Sequence, residues 1–204
     1  MSSRPVASFT CFFPLAASSL RSDGSVLRTD YDVEAVVPVR GAPAPGIEPA
    51  QAWSRVEQPA ALALPSAPFI GTTQHVVYTD AATRSELSQI SRSSSGPLAV
   101  LIPICKSASW WALAQDERQA HFTRGRHAGH TALGRPFAAR IYRRLYHARH
   151  LPGSAWDFLT YFEFPETERG AFQELLSILR DPESNPEWSF VDRELEIWMS
   201  KRGA

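Results

Sequence analysis

The stretch GHTALGRPFAARIYRRLYHAR, residues 129–149, changes from a helical pattern to a strand pattern around Pro136. Gly134 lies just before this proline, and glycine followed by proline is typical of the end of a helix. Apolar and polar residues then alternate through residues 137–149, as they do in a half-buried strand. The stretch therefore predicts a helix that ends near Gly134 and a strand that follows it.

The segments on either side of this stretch complete a repeating order of strands and helices. Upstream, the apolar run at 97–105 predicts a buried strand, and residues 110–134 predict a long helix or two helices. Ser107 or Ser109 is a candidate N-cap for this helical region. A strand, an amphipathic helix and a last strand are expected downstream, at 156–164, 167–181 and 188–200. The resulting order, β-α-β-β-α-β, is the ferredoxin-like pattern.

The N-terminal half predicts a reduced copy of the same unit. Three strands and a short helix are expected there, at 6–15, 33–39, 74–80 and 81–91. Loops rich in proline and alanine fall at 40–50 and 59–69, and the serine-rich run at 91–97 predicts a linker. We therefore expect an α+β fold of two tandem ferredoxin-like units, of the dimeric α+β barrel type. The reduced unit spans 1–92 and the C-terminal unit spans 98–204.

Composition argues against several classes of protein. The chain has 204 residues, with 21 Lys and Arg against 21 Asp and Glu, and this balance disfavours binding to nucleic acid or to an anionic membrane. No apolar run reaches the roughly 20 residues of a membrane helix, so a cytoplasmic location is expected. Cys11 and Cys105 fit neither a zinc motif nor a disulfide framework. Motifs for nucleotide binding and serine hydrolysis, such as GxGxxG and GxSxG, do not occur.

Arg143 is the first candidate for chemistry. Because residues two apart in a strand share a face, Arg143 lies with Ile141 and Leu145, whereas Tyr142 and Arg144 alternate to the other side. A guanidinium on an apolar face needs an anion or hydrogen-bonded partner. The pattern is consistent with a local ion pair, or with an arginine that faces an anion in a pocket.

Two histidines precede this strand. His127 and His130 are three residues apart on an expected helix and so share a face. No third ligand stands at a matching spacing, which disfavours zinc. A single histidine can instead be the axial ligand of haem iron, with only an acceptor for its other ring nitrogen. Each histidine is also consistent with an ordinary surface residue.

Lys106, Trp110 and Trp111 follow the buried strand directly. Paired tryptophans at a helix start are typical core anchors. Indole N–H groups beside a lysine can also bind carboxylates, such as the propionates of haem. Glu187 precedes the last strand and, taken alone, is consistent with a solvated residue.

Taken together, these segments resemble the chlorite dismutase family. The similarity lies in LIPICKSASWWALAQDER (101–118), ARIYRRLYHAR (139–149), WDFLTYFEF (156–164) and EWSFVDRE (187–194). Within that family, the chain is similar in particular to the short, dimeric lineage that contains haem b. The resemblance covers about residues 98–198.

The resemblance implies roles on the proximal side of a haem. Lys106 would belong to the proximal network, and Trp110 and Trp111 would line the haem. His130, thirteen residues before Arg143, would be the axial ligand of the iron. His127 is the alternative ligand.

The resemblance also implies the remaining contacts. Glu187 would accept the imidazole N–H of the ligand, with Glu183 as a less favoured substitute. Thr160 and Phe162 would face the distal side, and Arg143 would be the catalytic distal residue.

The resemblance implies a homodimeric haem b enzyme that converts chlorite to chloride and O₂. Coproheme decarboxylases resemble the same scaffold without an arginine at this distal position, so Arg143 favours chlorite as substrate. The alternatives are a haem-binding or low-activity peroxidase-like protein, or a coproheme decarboxylase-like enzyme.

Overall fold

The computed structural model describes residues 8–14, 27–43, 46–59, 68–73, 96–123 and 129–203. The strands are β1 Ser8–Pro14, β2 Leu27–Arg40, β3 Ala52–Pro59, β4 Phe69–Thr72, β5 Leu98–Lys106, β6 Tyr142–His147, β7 Phe158–Phe164 and β8 Val191–Lys201. The α-helices are α1 Ala108–Ala112, α2 Gln115–Thr123, α3 Gly129–Gly134 and α4 Arg169–Arg180. Short 3₁₀ helices span Arg135–Phe137, Glu166–Glu168 and Pro186–Phe190.

The strands form one closed barrel in the order β1-β3-β2-β8-β5-β7-β6-β4. Neighbouring strands are antiparallel throughout. The N-terminal strands join the C-terminal strands at two places, where β2 pairs with β8 and β4 pairs with β6. Closure removes the exposed sheet edges at which other chains could pair.

Buried apolar residues of the described strands form three clusters, one inside the barrel and two others, the smallest of which contains Cys11, Phe13, Val56 and Ile70. Each strand contributes to the core inside the barrel, which includes Phe12, Tyr31, Trp53, Phe69, Leu101, Tyr146, Leu159 and Ile197. On the outside, α4 covers the face formed by β5, β7 and β8, and Phe172 of α4 stacks on Phe164 with ring centroids 4.6 Å apart. The outer face of this half is therefore the side on which helix and sheet meet.

The α+β class is confirmed, as are the strands and helix expected in the C-terminal half. The helical region is divided into α1, α2 and α3, and its first helix is capped by Ser107, whose Oγ accepts the N–H of Trp110 at 3.3 Å. The change at Pro136 is also confirmed, because α3 ends at Gly134 and β6 begins at Tyr142.

The N-terminal half agrees with the sequence in part. The strands expected at 6–15 and 33–39 correspond to β1 and β2, whereas the elements expected at 74–80 and 81–91 lie outside the described residues. The loop expected at 59–69 is wrong at its end, because Phe69 begins β4. This strand has four residues, all buried, and so shows no alternation. No helix within the described ranges is long and apolar enough to cross a membrane, and the cytoplasmic location stays a prediction.

Gly96 lies where β5 approaches the end of β7, and its replacement by alanine is expected to destabilise the fold. A Cβ atom at this position would lie 2.2 Å from the carbonyl carbon of Phe164, so the backbone would have to move. We expect the free energy of unfolding to fall by about 3 kcal/mol in urea titrations, as for other overpacked sites. Gly170→Ala is the control, since a Cβ there in α4 meets nothing within 4 Å. Equal unfolding midpoints for the two variants would contradict this expectation.

Candidate functional site

A pocket of about 480 Å³, including its mouth, lies between the outer face of the sheet and the C-terminal end of α4. Its apolar walls are Ile102, Ile104, Phe162, Leu176, Leu179 and Val191. Polar side chains from β5, β6, β8 and the segment after α4 reach the same space. An apolar pocket with a few convergent polar groups is the usual form of a site for a small molecule or cofactor.

Arg143 lies in this pocket, on the face that the alternation predicts. In the register of the sheet, Arg143 is opposite Phe162 and Leu145 is opposite Thr160, so Thr160 and Phe162 share its face. Arg144 lies on the other face, where its Nη1 donates to the hydroxyl of Tyr142 at 3.3 Å. The structure therefore brings Arg143, Thr160 and Phe162 together at one wall.

The electrostatics of Arg143 reflect its position in a cavity. The side chain is exposed to the space of the pocket, and the other residues that line the pocket surround that space. Burial lowers the pKa of Arg143, and the nearby charge of Glu187 acts in the opposite direction. Arginine stays protonated under all working conditions, so the pocket contains a permanent cation.

Lys106 and Glu187 form a buried ion pair at the same pocket. Lys106 Nζ lies 2.5 Å from Glu187 Oε1, and the two side chains are 5% and 8% exposed. β5 carries the lysine, and the 3₁₀ helix Pro186–Phe190 carries the glutamate. Burial removes the hydration of both charges, so each stabilises the other only as long as the pair is intact. Glu187 is thus not the solvated residue that the sequence alone allowed.

The two tryptophans lie beside the pocket and are not part of its lining. Trp110 is fully buried, and Lys106 Nζ lies 4.8 Å from the centre of its ring. Trp111 stacks on Phe158 with ring centroids 5.9 Å apart and has the guanidinium of Arg149 on its ring at 3.7 Å. Trp110 therefore packs against the lysine side chain, whereas Trp111 packs against Phe158 and Arg149.

Asp157, which was not predicted as a site residue, holds these groups in place. Its carboxylate accepts the backbone N–H of Lys106 at 2.7 Å and the indole N–H of Trp111 at 3.2 Å. It also pairs with Arg149 at 2.9 Å. The sequence signal is weak, because a polar residue before a strand is common in turns.

The histidines are placed only in part. α3 carries His130, whose backbone is described but whose side chain lies outside the described residues, and His127 also lies outside them. α3 is next to α4, the helix that lines the pocket. Glu183, the substitute acceptor, is exposed and does not line the pocket.

Two charged residues and one amide residue of the pocket, Glu194, Arg180 and Asn185, were not predicted. Glu194 is 4% exposed and lies with Arg180, whose Nε donates to Glu194 Oε1 at 2.8 Å. Asn185 is 3% exposed, and its Nδ2 donates to the carbonyl of Leu179 at 2.7 Å. The alternation of β8 could have revealed Glu194, since it faces opposite to Leu195.

Comparisons with curated proteins and with solved structures both find chlorite dismutases. No protein-family model matches the chain. A curated chlorite dismutase from Ideonella dechloratans is 37% identical over 87 residues, which are 42% of this chain and 27% of that protein. The chain thus spans about a quarter of the length of the curated relative it matches.

Solved structures extend the similarity over nearly the whole chain. The dimeric chlorite dismutase of Nitrobacter winogradskyi has a TM-score of 0.71 and 28% identity, covering 94% of this chain and 99% of that one. Chlorite dismutase of Candidatus Nitrospira defluvii in complex with imidazole has a TM-score of 0.63 and 22% identity, covering 95% and 90%. The second likeness shows the fold alone.

Proposed function

Because the chain belongs to the chlorite dismutase family, we propose that it is a haem b-dependent oxidoreductase that converts chlorite to chloride and O₂. The observation that carries this proposal is the pairing of a pocket-facing cation, Arg143, with a buried Lys106–Glu187 pair in one apolar pocket. The cation suits a small oxyanion, and the ion pair suits the far side of a metal ligand.

The residues present fit a haem. Its ring is flat and apolar, like the aliphatic and aromatic walls of the pocket, and its propionates are anionic. Within the part of the chain that the structure describes, the indole Nε1 of Trp110 and Oδ1 of Asn185 are buried without a hydrogen-bond partner. Lys106 also lines the pocket, and its Nζ lies 4.8 Å from the ring centre of Trp110.

Each residue then has a role that its chemistry supports. Bound haem supplies the redox chemistry, and the protein binds, orients and shields. His130 would ligate the iron, with His127 as the alternative. Glu187 would accept the N–H of that imidazole, while Lys106 limits the negative charge that Glu187 presents.

Arg143 would hold the anionic substrate on the other side of the cofactor. A charge pair at 4 Å is worth about 1 kcal/mol in water and about 4 kcal/mol at an effective dielectric of 20. Thr160 and Phe162 flank the arginine and limit the access of water to the site. Trp110 and Trp111 would support the cofactor from the lysine side.

The assembly and the domain organisation belong to the same proposal. The dimeric Nitrobacter structure supports a homodimer. The strand order supports tandem ferredoxin-like units at 1–92 and 98–204, since each half of the barrel repeats one order, β4-β1-β3-β2 and β8-β5-β7-β6. Numbered within its own half, each order is 4-1-3-2.

An absorption spectrum and an oxygen electrode test the function. The full chain, reconstituted with haem b, is expected to show a Soret band of histidine-ligated haem and to release O₂ when chlorite is added. Haem binding without O₂ release would favour a peroxidase-like or haem-binding protein. Loss of the propionates of bound coproheme after addition of peroxide, followed by mass spectrometry, would favour a coproheme decarboxylase-like enzyme.

A further inference from the structure

Glu194 and Arg180 form a second ion pair at the pocket, with side chains 5% and 20% exposed, and the proposed function assigns no role to it. Both residues line the pocket, and Arg180 also pairs with Glu196, its Nη1 lying 2.6 Å from Glu196 Oε1. Glu196 is held elsewhere, because its Oε2 accepts the indole N–H of Trp198 at 2.5 Å and it does not line the pocket.

Lys106 lies in the field of two carboxylates. It forms its ion pair with Glu187, and its charge also acts on Glu194, which is on the neighbouring strand β8. Burial raises the pKa of Glu194, whereas the charges of Arg180 and Lys106 favour the ionised form. The four side chains therefore alternate in sign, in the order Glu187, Lys106, Glu194 and Arg180, and all of them line the pocket.

We propose that Glu194 and Arg180 are positioning residues that set how much of the positive charge of Lys106 reaches Glu187. The negative charge of Glu194 partly neutralises Lys106, and the positive charge of Arg180 reduces that effect. Since Glu187 would carry the hydrogen bond of the iron ligand, this balance tunes the reduction potential of iron held in the pocket. The inference rests on the proposed function, because it needs haem in this pocket.

The reduction potential of the haem-loaded protein tests the inference, measured by spectroelectrochemical titration. Glu194→Gln removes a negative charge and leaves Lys106 and Arg180 less neutralised. The added positive charge stabilises the ferrous form relative to the ferric form, because ferrous iron carries the lower positive charge. We expect about a tenfold higher ferrous-to-ferric ratio at a fixed applied potential, which is ~59 mV upward for one electron. Arg180→Gln removes a positive charge and is expected to shift the potential in the opposite direction.

Two variants separate electrostatics from packing. Glu194→Asp keeps the charge and is expected to retain the wild-type potential. Glu196→Gln is the matched control, since it is on the same strand and shares Arg180 but is outside the pocket lining. Its shift is expected to be smaller than that of Glu194→Gln.

Three results would overturn the inference. The first is an unchanged potential in Glu194→Gln and Arg180→Gln, and the second is a shift of both in the same direction, as general loosening would cause. The third applies if Glu194→Gln does not fold: a wild-type potential in Arg180→Gln would then overturn the inference by itself. A wild-type spectrum without histidine-ligated haem would instead overturn the proposed function itself, before any variant is compared.

Discussion

Arg143→Ala is expected to lower kcat/KM for chlorite roughly 10- to 100-fold while haem still binds. The guanidinium is a permanent cation on the pocket wall formed by β6 and β7, and its loss removes the charge that would orient the anion. Haem affinity should change little, because the apolar walls and the Lys106–Glu187 pair remain. Initial rates of O₂ release measure the effect, and Soret absorbance measures the haem content.

The same variant is expected to lose activity after fewer turnovers, since oxidising oxyanions that escape the pocket would bleach the haem. Arg144→Ala is the matched control, because the neighbouring arginine is on the opposite face of β6 and contacts Tyr142. Wild-type turnover and wild-type resistance to inactivation in Arg143→Ala would refute the assigned role. Equal losses in the two variants would indicate that the change in charge alone, at any position on the strand, is responsible.

Periodicity was sufficient to predict which residues of each strand in the pocket wall share a face. The alternation predicts that Arg143 shares a face with Leu145 on β6 and that Thr160 shares a face with Phe162 on β7. That the two strands present these residues to one pocket was implied by the family resemblance, and their register agrees with it. The ending of α3 before Pro136 was also predictable, because glycine and proline restrict the backbone locally. Short-range rules of this kind depend on neighbours in the chain.

The other side of the pocket depends on contacts between distant segments. Glu187 is consistent with a solvated residue until the 3₁₀ helix Pro186–Phe190 places it against Lys106, 81 residues earlier. Glu194 and Arg180 are likewise joined only when β8 packs beside α4. The alternation of β8 indicates the face on which Glu194 lies, whereas its burial and its pairing with Arg180 follow from tertiary packing.

The N-terminal strands show the same limit. β3 was not predicted, because polar residues, Arg55 among them, make up half of its sequence AWSRVEQP. Inside the barrel the guanidinium of Arg55 lies 4.6 Å from the ring centre of Tyr161. Its Nη2 also donates to the hydroxyl of Tyr146 at 3.1 Å. An arginine in the middle of a strand indicates exposure unless the residues that surround it are known.

His130→Ala is expected to abolish the Soret band of histidine-ligated haem, the largest spectroscopic change expected for any variant of this chain. A five-coordinate haem depends on one protein ligand, and exogenous imidazole should restore the band by taking the vacated position. The expectation rests on the resemblance to chlorite dismutases, which implies His130 as the ligand. The helix that carries it, α3, is next to α4, which lines the pocket. Absorption and resonance Raman spectra of the reconstituted variant, with and without imidazole, measure the ligation.

His127→Ala is the decisive comparison, because the two histidines are three residues apart and only one can be the ligand. It is expected to retain the band and the release of O₂, as is His150→Ala at an exposed position in the turn after β6. Loss of the band in His127→Ala with its retention in His130→Ala would reassign the ligand without affecting the pocket. Retention of the Soret band in both variants would show that neither histidine is the iron ligand. The hydrogen bond from that ligand to Glu187, through which Lys106 would act, would then also be refuted.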